Sequence, residues 1–374
     1  MSPFVSEQPV VGTGKYFGRE QLGRSLYTGV GRGRSFAVVG GAKTGRTSTL
    51  LQLKAQLELS FKRDPKATRL VPALVDLEPE SINSAATLAT AIYSAITKAV
   101  ADPKVYGNAL PVRVPELTVK RGDDPFAQLC RTLAAYGQAL QGTAGWCQYL
   151  LLVDNADRLL SPALETCAAP VATLVAASET FAPRALVLAA GRPLRELLNE
   201  RDGPLTGVRP LFLGALRDSE ARALIEASCD AVDMALADEV LAQSGKHPYL
   251  MQLLLAEYER HQFNVDADLV LAAVRPHTDR LFTRLWDELD LGRGVTYRGA
   301  YAAPEHALMQ HLIERGDAVD LRVVERDLGI KPLKEFAELL EYCGVVERIL
   351  VGDNVRFQAN GRLWNEWYAA RIRR

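Results

Sequence analysis

Apolar residues recur along this chain in two rhythms. Ser35-Phe-Ala-Val-Val39 is a short, β-branched run that ends in Gly40-Gly41 and predicts a buried strand. Residues 47–61 then carry Leu50, Leu51, Leu53 and Leu57 at helical spacing, so strand, glycine-rich turn and helix follow in order. Further apolar runs predict strands at 70–77 (closing on Asp76), 149–153, 185–190 and 210–213. Helical patterns fill 85–100 and 126–140, and the proline-containing stretch 101–124 reads as a loop. Strands alternating with helices predict an α/β unit with a parallel sheet covered on both faces.

From about residue 215 the rhythm changes. Segments 217–228, 237–242, 249–262 and 266–274 are all helical in pattern, with no strand between them. The last stretch predicts helices near 304–315, 321–328 and 332–342, then strands at 345–351 and 355–358 around Gly352-Asp353-Asn354, a hairpin turn. Three helices and a hairpin make a winged-helix arrangement. The expected organisation is therefore a core over 1–214, a helical subdomain over 215–290 and a winged helix over 300–374, with no internal repeat.

Composition narrows the class. With 48% hydrophobic and 24% charged residues in 374, the chain is ordinary globular. Its apolar runs are too short to span a bilayer, and Met1-Ser2-Pro3-Phe4 does not open a signal peptide. Cys130, Cys147, Cys167, Cys229 and Cys343 are odd in number and scattered, without metal-ligand spacing. The expectation is a cytoplasmic protein. The formal net charge of −1 hides an asymmetry, because residues 1–70 hold twelve basic side chains against four acidic ones. A polyphosphate ligand or a nucleic acid would be attracted there, unless acids elsewhere compensate.

The candidate chemistry starts inside that basic segment. Gly40-Gly41-Ala42-Lys43-Thr44-Gly45-Arg46-Thr47 matches G-x-x-x-x-G-K-[ST] except at Arg46. Glycines let the backbone curl so that successive N–H groups face one anion, and the helix that follows adds its positive dipole end. Thr47 offers a hydroxyl to Mg²⁺ and Ser48 follows it. Arg46 keeps the positive charge of the usual Lys but is larger and planar, so it cannot fill the same space, and Lys43 could assist from the side.

The run at 149–153 ends in Asp154-Asn155-Ala156-Asp157. A buried strand fixes a carboxylate at its tip, which suits Asp154 to orient Mg²⁺ and its waters across from the loop. Hydrolysis also needs a neighbouring base, and Asn155 is an amide there. Asp157 serves if the turn aims it inward, although the simpler reading is a helix cap. Arg192, after Gly191, could meet phosphate charge or start a helix. His247-Pro248-Tyr249 opens a helix, with proline at its first turn.

In order, Phe17-Gly18-Arg19-Glu20, Gly40–Thr47, Leu150–Asp154, Gly191-Arg192, Gly245–Tyr249 and the winged helix resemble the STAND branch of AAA+-related P-loop ATPases. The likeness is closest to the short archaeal and bacterial type that ends in a winged helix. It implies a P-loop NTPase core with a helical lid, binding ATP or ADP with Mg²⁺. It places Phe17, Gly18 and Arg19 near the adenine, and His247, Pro248 and Tyr249 against the nucleotide from the lid. It implies a switch that closes over ADP and opens with ATP and a signal. Arg46 and Asn155 depart from the family, so binding with slow or absent hydrolysis is expected.

The winged helix carries eleven basic and twelve acidic residues over 300–374, and its candidate recognition helix, the third, holds Lys331, Lys334, Glu335, Glu338 and Glu341. That favours packing on the core or on a partner protein over DNA. Arg371-Ile372-Arg373-Arg374 reads as a solvated tail. Expected partners are a protein supplying effector or sensor function, since few residues flank these units, and no membrane; a homo-oligomer stays open. The alternatives are a DNA-associated AAA+ ATPase of the replication-initiator or transposition-regulator kind, and a scaffold that binds no nucleotide.

Overall fold

The computed structural model describes residues 9–10, 16, 18–63, 69–102, 113–141, 147–176, 183–191, 198, 203, 205–228, 232–289, 295–297, 300–302, 304–352 and 354–372. Five strands, β1 (Phe36–Gly40), β2 (Arg69–Asp76), β3 (Cys147–Asp154), β4 (Pro183–Ala190) and β5 (Arg209–Leu213), form one sheet in the order β2-β3-β4-β1-β5. Every pairing is parallel. The run from Tyr149 to Val153 is apolar throughout because β3 is an interior strand covered on both faces, with all five residues buried.

Helices α1 (Glu20–Gly31) and α2 (Arg46–Arg63) cover one face through Leu26, Val30, Leu50, Leu53 and Leu57. Helices α3 (Ala85–Ala101), α4 (Pro125–Gln141) and α5 (Ala168–Ala176) cover the other. This is the α/β parallel-sheet core of a P-loop NTPase. The register aligns Asp76 with Asp154, Val39 with Ala190 and Gly40 with Leu213, so one edge of the sheet carries the strand ends that chemistry can use.

Beyond β5 come α6 (Asp218–Ser228), α7 (Met234–Ser244), α8 (Pro248–Arg260) and α9 (Ala267–Leu289), then the short strands β6 (Val295–Tyr297) and β7 (Ala300–Ala302). Helices α10 (Pro304–Arg315), α11 (Leu321–Leu328) and α12 (Lys334–Tyr342), the hairpin β8 (Val346–Val351) and β9 (Asn354–Ala359), and α13 (Arg362–Ile372) complete the chain. Three helices before a hairpin match the expected order. We refer to α10–α13 with the hairpin as the C-terminal module.

Several expectations change. The helix expected to stop at 274 runs to Leu289 with Pro276 inside it. Val270, Val274, Leu281, Phe282 and Leu285 are buried on one face, and that packing outweighs the backbone bond that the proline removes. The expected tail at Arg371 is the last turn of α13, in which Trp364 and Tyr368, four residues apart, are buried. Arg371 stands 5.2 Å from the Trp367 ring centroid and 5.8 Å from that of Trp286. Helix α1 occupies a segment for which the apolar pattern predicts no element.

The helices α6–α9 and the C-terminal module do not have separate interiors. One apolar cluster joins Leu254, Phe282 and Leu285 to Leu312, Leu340 and Trp364, and it includes Ala42 of the glycine-rich loop. Trp286 stacks on His306 with ring centroids 3.6 Å apart, and Phe282 meets Trp364 edge-on at 5.1 Å. No helix among the described residues is long and apolar enough to cross a membrane.

Candidate functional site

The loop between β1 and α2 owes its shape to glycines that have no substitute. A Cβ on Gly40 would stand 2.5 Å from Thr44 Oγ1 and 3.0 Å from the Leu213 carbonyl oxygen. Gly45 has φ +98°, open to glycine alone at low cost. Thr44 closes the turn by donating its hydroxyl to the Gly41 carbonyl at 2.8 Å. The first N–H groups of α2, an 18-residue helix, have no partner within the helix and point out of its positive end.

A cleft of about 420 Å³ opens in front of this helix end. Lys43, Thr44, Gly45, Arg46, Thr47 and Ser48 line one side, and Asp154 and Asn155 the tip of β3. Pro248 and Tyr249 of α8 and Arg19 before α1 close it from elsewhere in the chain. Segments far apart in sequence therefore meet here, as the motif order led one to expect. Lys43 lies over the Tyr249 ring, 5.5 Å from its centroid.

Other members of the expected set stand behind the cleft wall. Gly40 packs against Thr44 and Leu213, while Gly41 and Ala42 face the C-terminal module and the Gly41 N–H donates to the Tyr342 carbonyl at 3.2 Å. Gly18, with φ +71°, packs under Leu216 and Glu220 and turns the chain so that Arg19 can enter. Arg19 N–H donates to Glu220 Oε1 at 3.0 Å, and its guanidinium donates to the Gly214 carbonyl at 2.6 Å. His247 is 2% exposed, between the Ala42 backbone and Gly344. Burial pushes its pKa down to about 4, so the imidazole is neutral. Neither ring nitrogen has a well-formed hydrogen bond. Phe17 and Arg192 lie outside the described residues.

Two side chains correct the reading of the sequence. Asp157 is not a helix cap: Asn155, in the left-handed region at φ 52°, holds the N-cap position of the 3₁₀ turn 156–160. The turn sends Asp157 inward to accept the Gly191 N–H at 2.5 Å and to pair with Arg46 at 3.5 Å. Arg46 thus borders the cleft, but its guanidinium is held by Asp157. Its side chain is 13% exposed and its charge is spent on Asp157.

Asp154 is buried, with the Thr47 hydroxyl beside its carboxylate. Burial raises its pKa, and Thr47, the Asn155 N–H and Arg46 oppose that rise. Missed in the sequence was Asp76, beside Asp154 in register, whose Oδ1 accepts from the Asn155 amide at 2.8 Å. Glu78, Gln252 and Arg284 also line the cleft. A strand closing on Asp is the same signal in β2 as in β3, and it could have found Asp76. The assembled groups can hold an anion chain at the helix end and a hard cation against the adjacent hydroxyl and carboxylate.

The C-terminal module covers the loop from above. Phe212 of β5 stacks on Tyr342 with centroids 3.9 Å apart and planes 4° from parallel. Gly214 meets the Glu341 carbonyl, which a Cβ would approach to 2.5 Å. Lys246 reaches Glu347 at 2.5 Å, and the Asn360 amide donates to the Gly245 carbonyl at 2.6 Å. On the far side of the module Arg348 is held by Glu341 at 2.6 Å and Glu338 at 3.8 Å. The acids of α12 are thereby tied to the module's own hairpin.

No protein-family model matches this chain, and no curated protein matches it in sequence. Among solved structures, the Walker-type ATPase PABY2304 of Pyrococcus abyssi is similar at TM-score 0.61 and 16% identity, over 97% of this chain and 99% of that one. The ORC2 protein of Aeropyrum pernix (TM-score 0.49, 13% identity, 96% and 97% covered) and CDC6P of Pyrobaculum aerophilum (0.43, 14%, 95% and 93%) are also found. The first of these likenesses extends over nearly the whole chain and supports a P-loop ATPase fold including the helical C-terminal half.

Proposed function

We propose that this protein is an ATP- or ADP-binding regulatory switch of the STAND and AAA+ kind, with slow or absent hydrolysis, that acts through a protein partner. The observation that carries the reading is the contact between the C-terminal module and the phosphate loop. The Gly41 N–H is engaged by Tyr342, so the loop and the α12–β8 turn share a hydrogen bond. Whatever changes the loop on nucleotide exchange is felt at once by the module. The shared fold with a Walker-type ATPase supports the nucleotide as ligand.

The residues present fit Mg²⁺ and a phosphate chain. Thr47 and Asp154, which stand side by side, would hold the cation, and the N–H groups at the start of α2 would take the phosphates. When bound, Mg²⁺ neutralises phosphate charge. Arg19, Pro248 and Tyr249 would enclose the nucleoside end. The weak-hydrolysis half of the reading rests on two residues. Asn155 cannot take a proton and is committed to Asp76. Arg46 is held by Asp157.

The C-terminal module's even charge and the internal pairing of Glu338 and Glu341 favour a protein surface as its target. The test is to denature the purified protein, identify released ATP or ADP, and then measure affinity for each beside steady-state hydrolysis. Expected are bound nucleotide and tight binding with turnover below ordinary ATPase rates. Turnover at ordinary rates, abolished by Asp154→Ala, would overturn the slow-hydrolysis half. Binding of neither nucleotide would overturn the whole reading. For the switch, Gly214→Ala should push the α12–β8 turn off the loop and speed nucleotide release at least tenfold. An unchanged release rate would separate the module from the nucleotide.

A further inference from the structure

The basic excess of residues 1–70 does not all serve the cleft. Arg19, Lys43 and Arg46 reach it, but Arg24, Arg32 and Arg34 stand at the opposite end of the sheet. There the amino ends of β1, β4 and β5 meet the last turn of α1. A second hollow of about 420 Å³ is lined by Arg24, Thr28, Arg32, Arg34 and Arg209. Arg184, at the start of β4, joins the group, because its guanidinium lies over Gly33, 3.3–3.5 Å from where a Cβ would stand. Five arginines from α1, the turn after it, β4 and β5 therefore face one side of the molecule.

The local chain builds this face deliberately. Gly29 lets α1 come close to β1, since a Cβ there would overlap the Phe36 ring at 2.3 Å. Gly33, at φ +74°, turns the chain between Arg32 and Arg34. The turn is held by Arg34 N–H to Gly29 and Gly33 N–H to Val30, and Ser35 ties β4 and β5 to β1 through Leu186 N–H and Arg209 N–H. Arg24, Thr28 and Arg32 fall at four-residue spacing along α1, so the two guanidinium stems are about 12 Å apart along its axis.

These five arginines are exposed, and among the described residues none makes an ion pair with a carboxylate; Arg24 donates only to the Glu20 carbonyl of its own helix, at 3.4 Å. The helix dipole accounts for part of the pattern, because Arg32 and Arg34 sit at the negative end of α1. It gives nothing to Arg184 and Arg209, which belong to strands. Like charges gathered without a counter-charge repel one another, and an external polyanion relieves that repulsion. All five are arginine rather than lysine, which suits bidentate contacts with phosphate oxygens.

We propose that this arginine face binds the phosphodiester backbone of a nucleic acid, without reading its sequence. The 12 Å span of the α1 stripe covers several phosphates of a duplex strand, at ~3.4 Å of axis per phosphate, so an extended polymer fits better than one headgroup. The charge comes from arginines spread over α1, the turn after it, β4 and β5, rather than from a single helix or ribbon that could enter a groove, so phosphates are the expected contact. The site lies away from the nucleotide cleft, so it does not depend on the switch proposed above.

The experiment measures binding of the full-length protein to labelled 30-mer duplex DNA and single-stranded RNA of unrelated sequences, from 50 to 200 mM salt. Expected is binding to at least one of them that is indifferent to sequence and weakens steeply with salt. The double variant Arg34→Gln/Arg209→Gln should weaken it at least tenfold and lower the slope of log affinity against log salt by about two. Nucleotide binding and far-UV circular dichroism of that variant should match wild type. Lys331→Gln/Lys334→Gln in the C-terminal module should leave nucleic-acid binding unchanged.

Three results would overturn the proposal. One is no binding to either polymer at 50 mM salt. Another is binding that the module variant abolishes while the arginine variant keeps it. The third is binding only to vesicles of 30% phosphatidylserine, lost in the arginine variant, which would assign the face to a membrane surface.

Discussion

At the carboxyl ends of the strands, positive charge is engaged by the protein itself. Arg46 is paired with Asp157, Arg19 donates to the Gly214 carbonyl, and Lys43 lies over Tyr249. At the amino ends of the same strands Arg24, Arg32, Arg34, Arg184 and Arg209 have no carboxylate within ion-pair distance among the described residues. Both hollows are near 420 Å³. The difference lies in what each set of cations can still do. Groups already engaged contribute to holding the fold closed, and they change partner only when the fold changes. Groups without a carboxylate partner, Arg24 among them with only a long bond to its own helix, contribute little to the fold and are available to something outside it.

That contrast yields measurable differences in stability. The largest belongs to His247 on the covered side. Its pKa falls from 6.5 unfolded to about 4 folded, so between those values the unfolded chain takes up a proton that the folded one refuses. Stability therefore drops as pH falls through that window and levels off below it, by roughly 3 kcal/mol in all. Urea denaturation at pH 7 and pH 4.5 should show the drop in wild type and a much smaller one in His247→Gln. Equal drops in the two proteins would remove His247 from the account.

Next is Asp157→Ala, which leaves the Gly191 N–H without its acceptor and Arg46 without its counter-charge. A loss of about 2–3 kcal/mol is expected, less than for a fully buried pair because Asp157 is 30% exposed. Its companion effect is a freed Arg46, read as altered nucleotide affinity in a titration. A smaller loss, about 1–2 kcal/mol, is expected for Phe212→Ala, which removes the stack on Tyr342. The smallest is Arg34→Gln on the open side, within about 0.5 kcal/mol of wild type. A loss there as large as that of Asp157→Ala would mean that the open arginines have a structural partner, and the comparison would collapse.

What could be read in advance follows from how local each signal is. The strand before Gly40, the loop itself and the run into Asp154 are contiguous patterns, and the sheet and cleft were legible from them. The pairing of Arg46 with Asp157 joins residues 111 apart, and no motif states it. Each residue read alone had a reasonable fate, a phosphate contact or a helix cap, and only the fold brings them together. Asp76 was visible as a strand end but acquires meaning through its register with Asp154. The overrun of α9 past Pro276 and the presence of α13 were settled by packing, through Phe282 against Trp364, which local propensity does not register. The split of the basic segment between two ends of the sheet needed α1, which the pattern had not announced.

One detail of the loop reaches beyond the site. Ala42 is 1% exposed and belongs to the same apolar cluster as Leu285, Leu340 and Cys343, while its neighbour Gly41 is bonded to Tyr342. These partners are separated from the loop by most of the chain. During synthesis, which proceeds at about 5–20 residues per second, the loop emerges well before its cover. Until then the loop lacks the contacts that surround Gly41 and Ala42 here. Acquisition of the finished cleft in that sense follows the module's folding, and a ligand held in it would mark a chain whose C-terminal module is already in place.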